Sequence, residues 1–425
     1  MRLAAPALLM LLAGCSTTVP ATSSGGLKPS ATEKAAALNK AAAVTSDAEQ
    51  PDLDTIKPSA AFKVRWRRNI GDVGFSIDYS SVPIAHPGEV RWRAQRDFGD
   101  MGNDILQPAL LDGALYVANA KGKILRLKAD SGQQQWRVDT GITITGGVGA
   151  GAGLILAGGE KGEVLAYDEG GRLRWKALVS SEVMGAPQVA DGIVVVRSGD
   201  GRIAGFSAAD GKRKWLYEHT MPALVVRSSA AVTIHGGTIF AGFAGGKLAA
   251  IDLASGSLKW EAVLSKPSGH TELERISDIT SAPQSDDRVV CAASFQGQVG
   301  CFSTAQGDKL WSHDFSSDKG LKLQGNNIYV TDADGTMQAF DKTTGSSVWK
   351  NAQLARRKTA TPAVLGDYLV AGDKEGYLYA IKREDGSVAA RLKTDGSSIL
   401  GAPIELDGGL LVQTRNGGLY SVTLH

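Results

Sequence analysis

Six histidines, a glycine run and a recurring set of aspartates are the residues in this 425-residue chain from which chemistry could be built. His86, His219, His235, His270, His313 and His425 show no close metal-ligand spacing. No Gly-x-Ser-x-Gly elbow presents a nucleophile. The run Gly146-Gly147-Val148-Gly149-Ala150-Gly151 has the composition of a phosphate cradle, but it leads into the apolar stretch Leu154-Ile155-Leu156-Ala157. A cradle joins a strand to a helix, so this run reads as a loop between repeats. Asp168, Asp210, Asp252 and Asp341 recur after equivalent strands, which is turn chemistry and not a carboxylate pair. The expectation is a chain that is not an enzyme and that holds no metal and no cofactor.

The elements that position these residues follow one beat. Gly122, Gly162, Gly201, Gly246, Gly297, Gly335, Gly376 and Gly417 each open the same short phrase, at steps of 40, 39, 45, 51, 38, 41 and 41 residues. A period in this range marks a repeat array. Each lead glycine ends a polar turn, where positive φ carries no steric cost. An apolar strand such as Ile193-Val194-Val195-Val196 precedes the turn, and a second strand follows it.

Two residues after the glycine stand Ile124, Val164, Ile203, Leu248, Val299, Met337, Leu378 and Leu419. Four after it the residues are small, with Arg126 the exception; the other face carries Leu127, Tyr167, Phe206, Ile251, Phe302, Phe340, Ile381 and Val422. Apolar residues on both faces require cover on both sides. Sheets that cover one another are propeller blades, and about 40 residues suit four short strands with their turns. The expectation is an all-β, eight-bladed β-propeller of four-stranded antiparallel blades. A second glycine precedes a tryptophan by four residues in most copies, as in Gly211 to Trp215, and places a large ring between blades. The last copy ends at His425 without a tryptophan strand, so an N-terminal strand must close the ring. The candidates are Val64-Arg65-Trp66 and Val90-Arg91-Trp92; the second is favoured because it lies nearer the next strand at Pro108.

Arg2, the apolar run Leu3 to Leu12 and the ending Leu12-Ala13-Gly14-Cys15 look like a bacterial lipoprotein signal with Cys15 lipidated. About ten apolar residues cannot span a bilayer, which needs roughly 20. Ser16, not an aspartate, follows the cysteine and favours the outer membrane. Residues 16–61 lack aromatic residues and read as a tether. The division expected is residues 1–14 as signal, 15–61 as lipidated cysteine and tether, and 62–425 as propeller. This anchors the chain to the membrane without spanning it. A net charge of +2 argues against a nucleic-acid binder. Cys291 and Cys301 flank the turn around Gln296 symmetrically and fit either a disulfide or two buried thiols.

The two long steps carry the functional signal. Their extra residues fall near 217–228 and 265–278, in connections of consecutive blades that share one end of a meander. Insertions on one face mark a binding face. The first holds Met221-Pro222-Ala223-Leu224-Val225-Val226-Arg227, and the second Glu272-Leu273-Glu274-Arg275-Ile276-Ser277-Asp278. Apolar anchors flanked by charge suit a protein partner.

The repeat phrase resembles that of pyrroloquinoline quinone (PQQ) dehydrogenase propellers, which carry a vicinal disulfide beside the cofactor. The chain has no Cys-Cys pair. A PQQ-dependent oxidoreductase, a PQQ-binding propeller and a general cell-envelope adaptor are the competing readings. At Met221 through Arg227, Thr271 through Asp278 and Gly376-Tyr377-Leu378-Tyr379, the chain resembles the BamB family, lipoproteins of the machinery that assembles outer-membrane β-barrels. The resemblance covers the lipobox and the whole propeller. It implies a non-enzymatic scaffold on the periplasmic face of the outer membrane. Such a scaffold is a monomer within a complex of BamA and other lipoproteins, and unfolded outer-membrane proteins are further partners. It implies contact with the BamA POTRA domains through two leucines and an arginine, matched by Leu224, Val226 and Arg227. An Asp-x-Asp of the family is matched by Asp278, with Thr280 in place of the second carboxylate. The stretch from Gly71 to Gly88 departs from the family as an insertion.

Overall fold

A computed structural model of the chain describes residues 58–71 and 106–425, apart from Ala223, Arg227 and Glu272. Cys15, residues 1–14, most of the expected tether and most of the 71–88 insertion lie outside the described residues. Among the described residues the strands form eight four-stranded antiparallel sheets. Blades 1 to 7 are sequential meanders over residues 109–139, 144–178, 188–217, 233–263, 284–314, 321–351 and 363–393. Blade 8 joins residues 404–424 to the strand Phe62–Asn69. The first strands of blades 8, 1 and 2 touch in turn, which places first strands at the axis and closes the ring.

The face assignments hold: every residue two after a lead glycine is buried, as is the opposite row from Leu127 to Val422. The pairing explains the small residues between them. Each stands opposite the position of the blade's tryptophan, as in Ala166↔Trp175, Gly205↔Trp215 and Cys301↔Trp311. A Cβ on Gly205 would lie 2.1 Å from the Trp215 ring. Each indole then crosses to the next blade. The ring covers the second glycine of that blade, and its Nε1 donates to a carbonyl in the same turn. Trp175, for example, lies over Gly211 and bonds the Ala208 carbonyl at 2.9 Å. Trp66, Trp136, Trp215, Trp260, Trp311 and Trp349 repeat the bond at 2.8–3.0 Å.

This socket corrects the expected closure. Val64–Trp66 closes the ring, while residues 90–92 lie outside the described residues. The strand Phe62–Asn69 pairs with Gly418–Leu424 from Phe62↔Leu424 to Asn69↔Gly418, with Trp66 opposite the small Ser421. The Trp66 indole bonds the Ala129 carbonyl and covers Gly132 of blade 1. Nearness in sequence to Pro108 was the wrong criterion; register and the tryptophan socket decide the choice.

Blade 7 shows the rule by departing from it. Ala390 stands opposite Ala380, where the other blades have tryptophan. Blade 8 has no turn between its third and fourth strands, because the fourth comes from the other end of the chain. No glycine is there to be covered, and the backbone N–H groups of Ser59 and Ala60 reach the Ala389 carbonyl instead.

Candidate functional site

The connections from one blade's outer strand to the next blade's inner strand gather at one end, beside the lead-glycine turns. At this end Gly162 has φ +84°, and a Cβ there would sit 2.5 Å from the Val179 carbonyl oxygen of the connection. Two connections are long: residues 218–232, from blade 3 to blade 4, and 264–283, from blade 4 to blade 5.

These two are neighbours and are bonded to each other. The Asp278 carboxylate accepts the Val226 N–H at 2.7 Å through one oxygen and the Gly245 N–H at 2.9 Å through the other. The Ser228 hydroxyl donates to the Thr280 carbonyl at 2.6 Å, and Thr233 bonds the Pro283 carbonyl. Backbone bonds Ile279 N–H to Phe243 and Phe295 N–H to Asp278 seat the second connection on blades 4 and 5. A buried carboxylate survives only with donors, and Asp278, 4% exposed, has amide donors from both sides.

The tip of the second connection is ordered by its own capping box. The Glu274 carboxylate accepts the N–H groups of His270 and Thr271, and the Glu274 N–H donates to the Thr271 hydroxyl. The His270 amide and then the Thr271 amide hold this carboxyl below its ordinary range. The turn carries Leu273 into solvent at 56% exposure; on the first connection Leu224 is 45% exposed and Val225 37%.

The expected site residues therefore divide. Leu224 is outward-facing, Val226 is half-buried with its N–H held by Asp278, and Asp278 is internal. Arg227 and Cys15 lie outside the described residues. Cys291 and Cys301 are paired across adjacent strands of blade 5 and joined as a disulfide with Cα atoms 4.1 Å apart. Sequence reasoning passed over Leu273 and Val225, although both lay in the stretches it singled out. It also passed over Arg197, whose guanidinium sits behind the first connection.

A family profile described as outer membrane protein assembly factor BamB matches residues 120–351 and 333–425. The BamB of Nitrosomonas eutropha is 44% identical over 321 residues, covering 75% of this chain and 78% of its own length. This chain belongs to the BamB family of outer membrane protein assembly factors. Among solved structures, BamB from Moraxella catarrhalis matches with TM-score 0.70 at 25% identity, over 75% of this chain and 96% of that one. The quinohemoprotein alcohol dehydrogenase from Comamonas testosteroni matches with TM-score 0.65 at 13% identity, over 85% of this chain and 76% of that one. That likeness shows the propeller fold alone. As a member of this family the chain is a non-enzymatic outer membrane protein assembly factor.

Proposed function

We propose that this chain is a periplasm-facing scaffold, tethered by a lipid on Cys15, that docks on the POTRA domains of a BamA-type protein. In this reading it helps fold and insert outer-membrane β-barrels as one subunit beside other lipoproteins of the machinery. Unfolded barrel strands are received at the exposed outer edges of the blades. The observation that carries the reading is the pair of joined connections at one end of the ring. They present Leu224, Val225 and Leu273 to solvent from a base fixed by Asp278. Preorganised apolar anchors with a polar rim are the chemistry of a protein-binding hot spot.

The test is co-purification from mild detergent. Leu224→Asp and Arg227→Glu, each made in the full chain, should release the BamA-type partner while the variants keep the parent's thermal melt. Co-purification at the parent level by both variants would sink the docking assignment.

A further inference from the structure

The position four residues before each lead glycine holds Ala118, Gly158, Arg197, Gly242, Ala293, Thr331, Gly372 and Gln413. Arg197 is the one charge in that column. The column is small for a reason visible in blades 2, 4 and 7. There Val183, Ile279 and Ile399, five residues before the next blade's first strand, pack onto Gly158, Gly242 and Gly372. A Cβ on any of the three glycines would lie 2.2 Å from that side chain. In blade 3 the corresponding residue is Ser228, and its hydroxyl turns away to the Thr280 carbonyl. The apolar plug is missing, and an arginine takes the column position that is glycine in those three blades.

The space left over is a cavity of about 240 Å³, lined by Arg197, Met221, Val225, Val226, Ser228 and Ala230, among others. Its wall includes the first long connection. Arg197 has five N–H donors. Among the described residues it makes one hydrogen bond, from Nη1 to the Ala230 carbonyl at 3.4 Å, and rests its guanidinium 5.2 Å from the Phe243 ring centroid. Asp278 attracts it through space but makes no ion pair with it, its oxygens being bonded to Val226 and Gly245. Glu182, on the wall of the same cavity, has a partner of its own. Burial is strong enough to pull the guanidinium down to about 10 against the opposing pull of Asp278. Arg197 is half-buried and lines the cavity, so its unused donors are open to a carboxylate brought to them, and such charge-assisted bonds are stronger than neutral ones.

We propose that this cavity is a recognition pocket for an acidic side chain of the docking partner, which enters beside Met221 and Val225 and is bound by Arg197. The proposal rests on the docking reading above and adds to it the chemistry of one anchor. Arg197 would pair with the incoming carboxylate while the rim receives that residue's apolar neighbours.

The test uses the full chain and the periplasmic domains of the BamA-type partner. Arg197→Met should weaken binding at least tenfold and flatten its salt dependence. Arg197→Glu should bind at least tenfold more weakly, and an Asp or Glu→Arg change at the matching partner position should restore it. Parent-level binding by Arg197→Met, with binding lost in Leu224→Asp, overturns the pocket and leaves the docking reading standing. Parent-level binding by both variants overturns the docking reading as well. If Arg197→Met fails to fold, the parent answers through the Nε–H resonance of Arg197 in arginine-labelled protein. A shift on adding the partner supports the pocket, and no shift overturns it. A shift with acetate alone and none with the partner identifies a pocket for free carboxylates and likewise overturns the proposal.

Discussion

The connections around blades 4 and 5 and the connection from blade 6 to blade 7 do the same topological task with opposite surface results. Between blades 6 and 7, residues 352–362 lie close to the turn they cross. Arg357 sits 3.8 Å from the buried Asp373 and 3.7 Å from Glu375. The Asp373 carboxylate accepts the N–H groups of Glu375 and Tyr377 and the Tyr379 hydroxyl, so its charge is answered within blade 7 and its own connection. Around blade 4 the carboxylate of Asp278 clamps backbone amides of the other long connection and of a blade 4 turn. Among the described residues Leu224, Val225 and Leu273 are left facing water. The short connection is a structural seal, and the long pair is a platform. A buried aspartate is common to both, and its choice of donors separates them.

The largest effect should come from charging the platform. Leu224→Asp combined with Leu273→Asp should reduce partner recovery in a pull-down by about a hundredfold, the loss of roughly 3 kcal/mol expected for hot-spot anchors. Gln353→Asp, on the exposed part of the seal, should leave recovery unchanged. Equal losses from both would erase the functional distinction between the regions.

The disulfide sharpens the contrast from below. Cys291 and Cys301 cross-link the second and third strands of blade 5, the blade on which the second long connection is seated. Replacing both by serine should cost about 2–3 kcal/mol, the usual range for a short closed loop. A thermal melt under non-reducing conditions reads this directly. Binding per folded molecule should persist, because neither sulfur reaches the platform surface.

Next comes the clamp. Asp278→Ala leaves the Val226 and Gly245 amides without their acceptor, which costs about 1–3 kcal/mol. Hydrogen exchange should accelerate at those two amides more than anywhere in residues 352–362. Uniform acceleration around the ring would mean that Asp278 supports the global fold and not the platform.

Much of this was legible beforehand. The glycine beat gave eight blades, because two-sided burial and turn geometry leave a direct trace in residue type. The stretched intervals gave the neighbouring connections, because chain length must go somewhere and consecutive blades share an end. Ring closure was misjudged, because the socket between Trp66 and Gly132 joins residues far apart in sequence. Arg197 was visible as one charge in a column of small or neutral residues, but only once the column is aligned on the glycines. The internal role of Asp278 had no sequence signal, because the donors that bury it are backbone amides and carry no residue identity.

The smallest effect is a difference in pH response between the two regions. His219 opens the first long connection, with its ring stacked 4.1 Å from Phe243 and its Nε2 3.1 Å from Glu261. Burial, with help from Lys247, pulls this imidazole below its ordinary 6.5 despite the pull of Glu261. The unfolded segment then binds more protons than the folded one between the folded value and 6.5. Stability is therefore full above 6.5 and declines as pH falls below it. Asp373, the blade 7 aspartate against which the seal lies, runs the other way, since burial raises its carboxyl above 3.8 in spite of the Tyr377 and Tyr379 bonds. There the folded state binds more protons in the window above 3.8, and local stability rises as pH falls through that window. Exchange at residues 218–222, corrected for the intrinsic pH dependence of exchange, should thus quicken from pH 7 to pH 5, while exchange at residues 373–379 slows or holds. His219→Gln should remove the first trend and leave the second. Parallel trends in both regions would show that the titration is global and that the platform has no separate acid response.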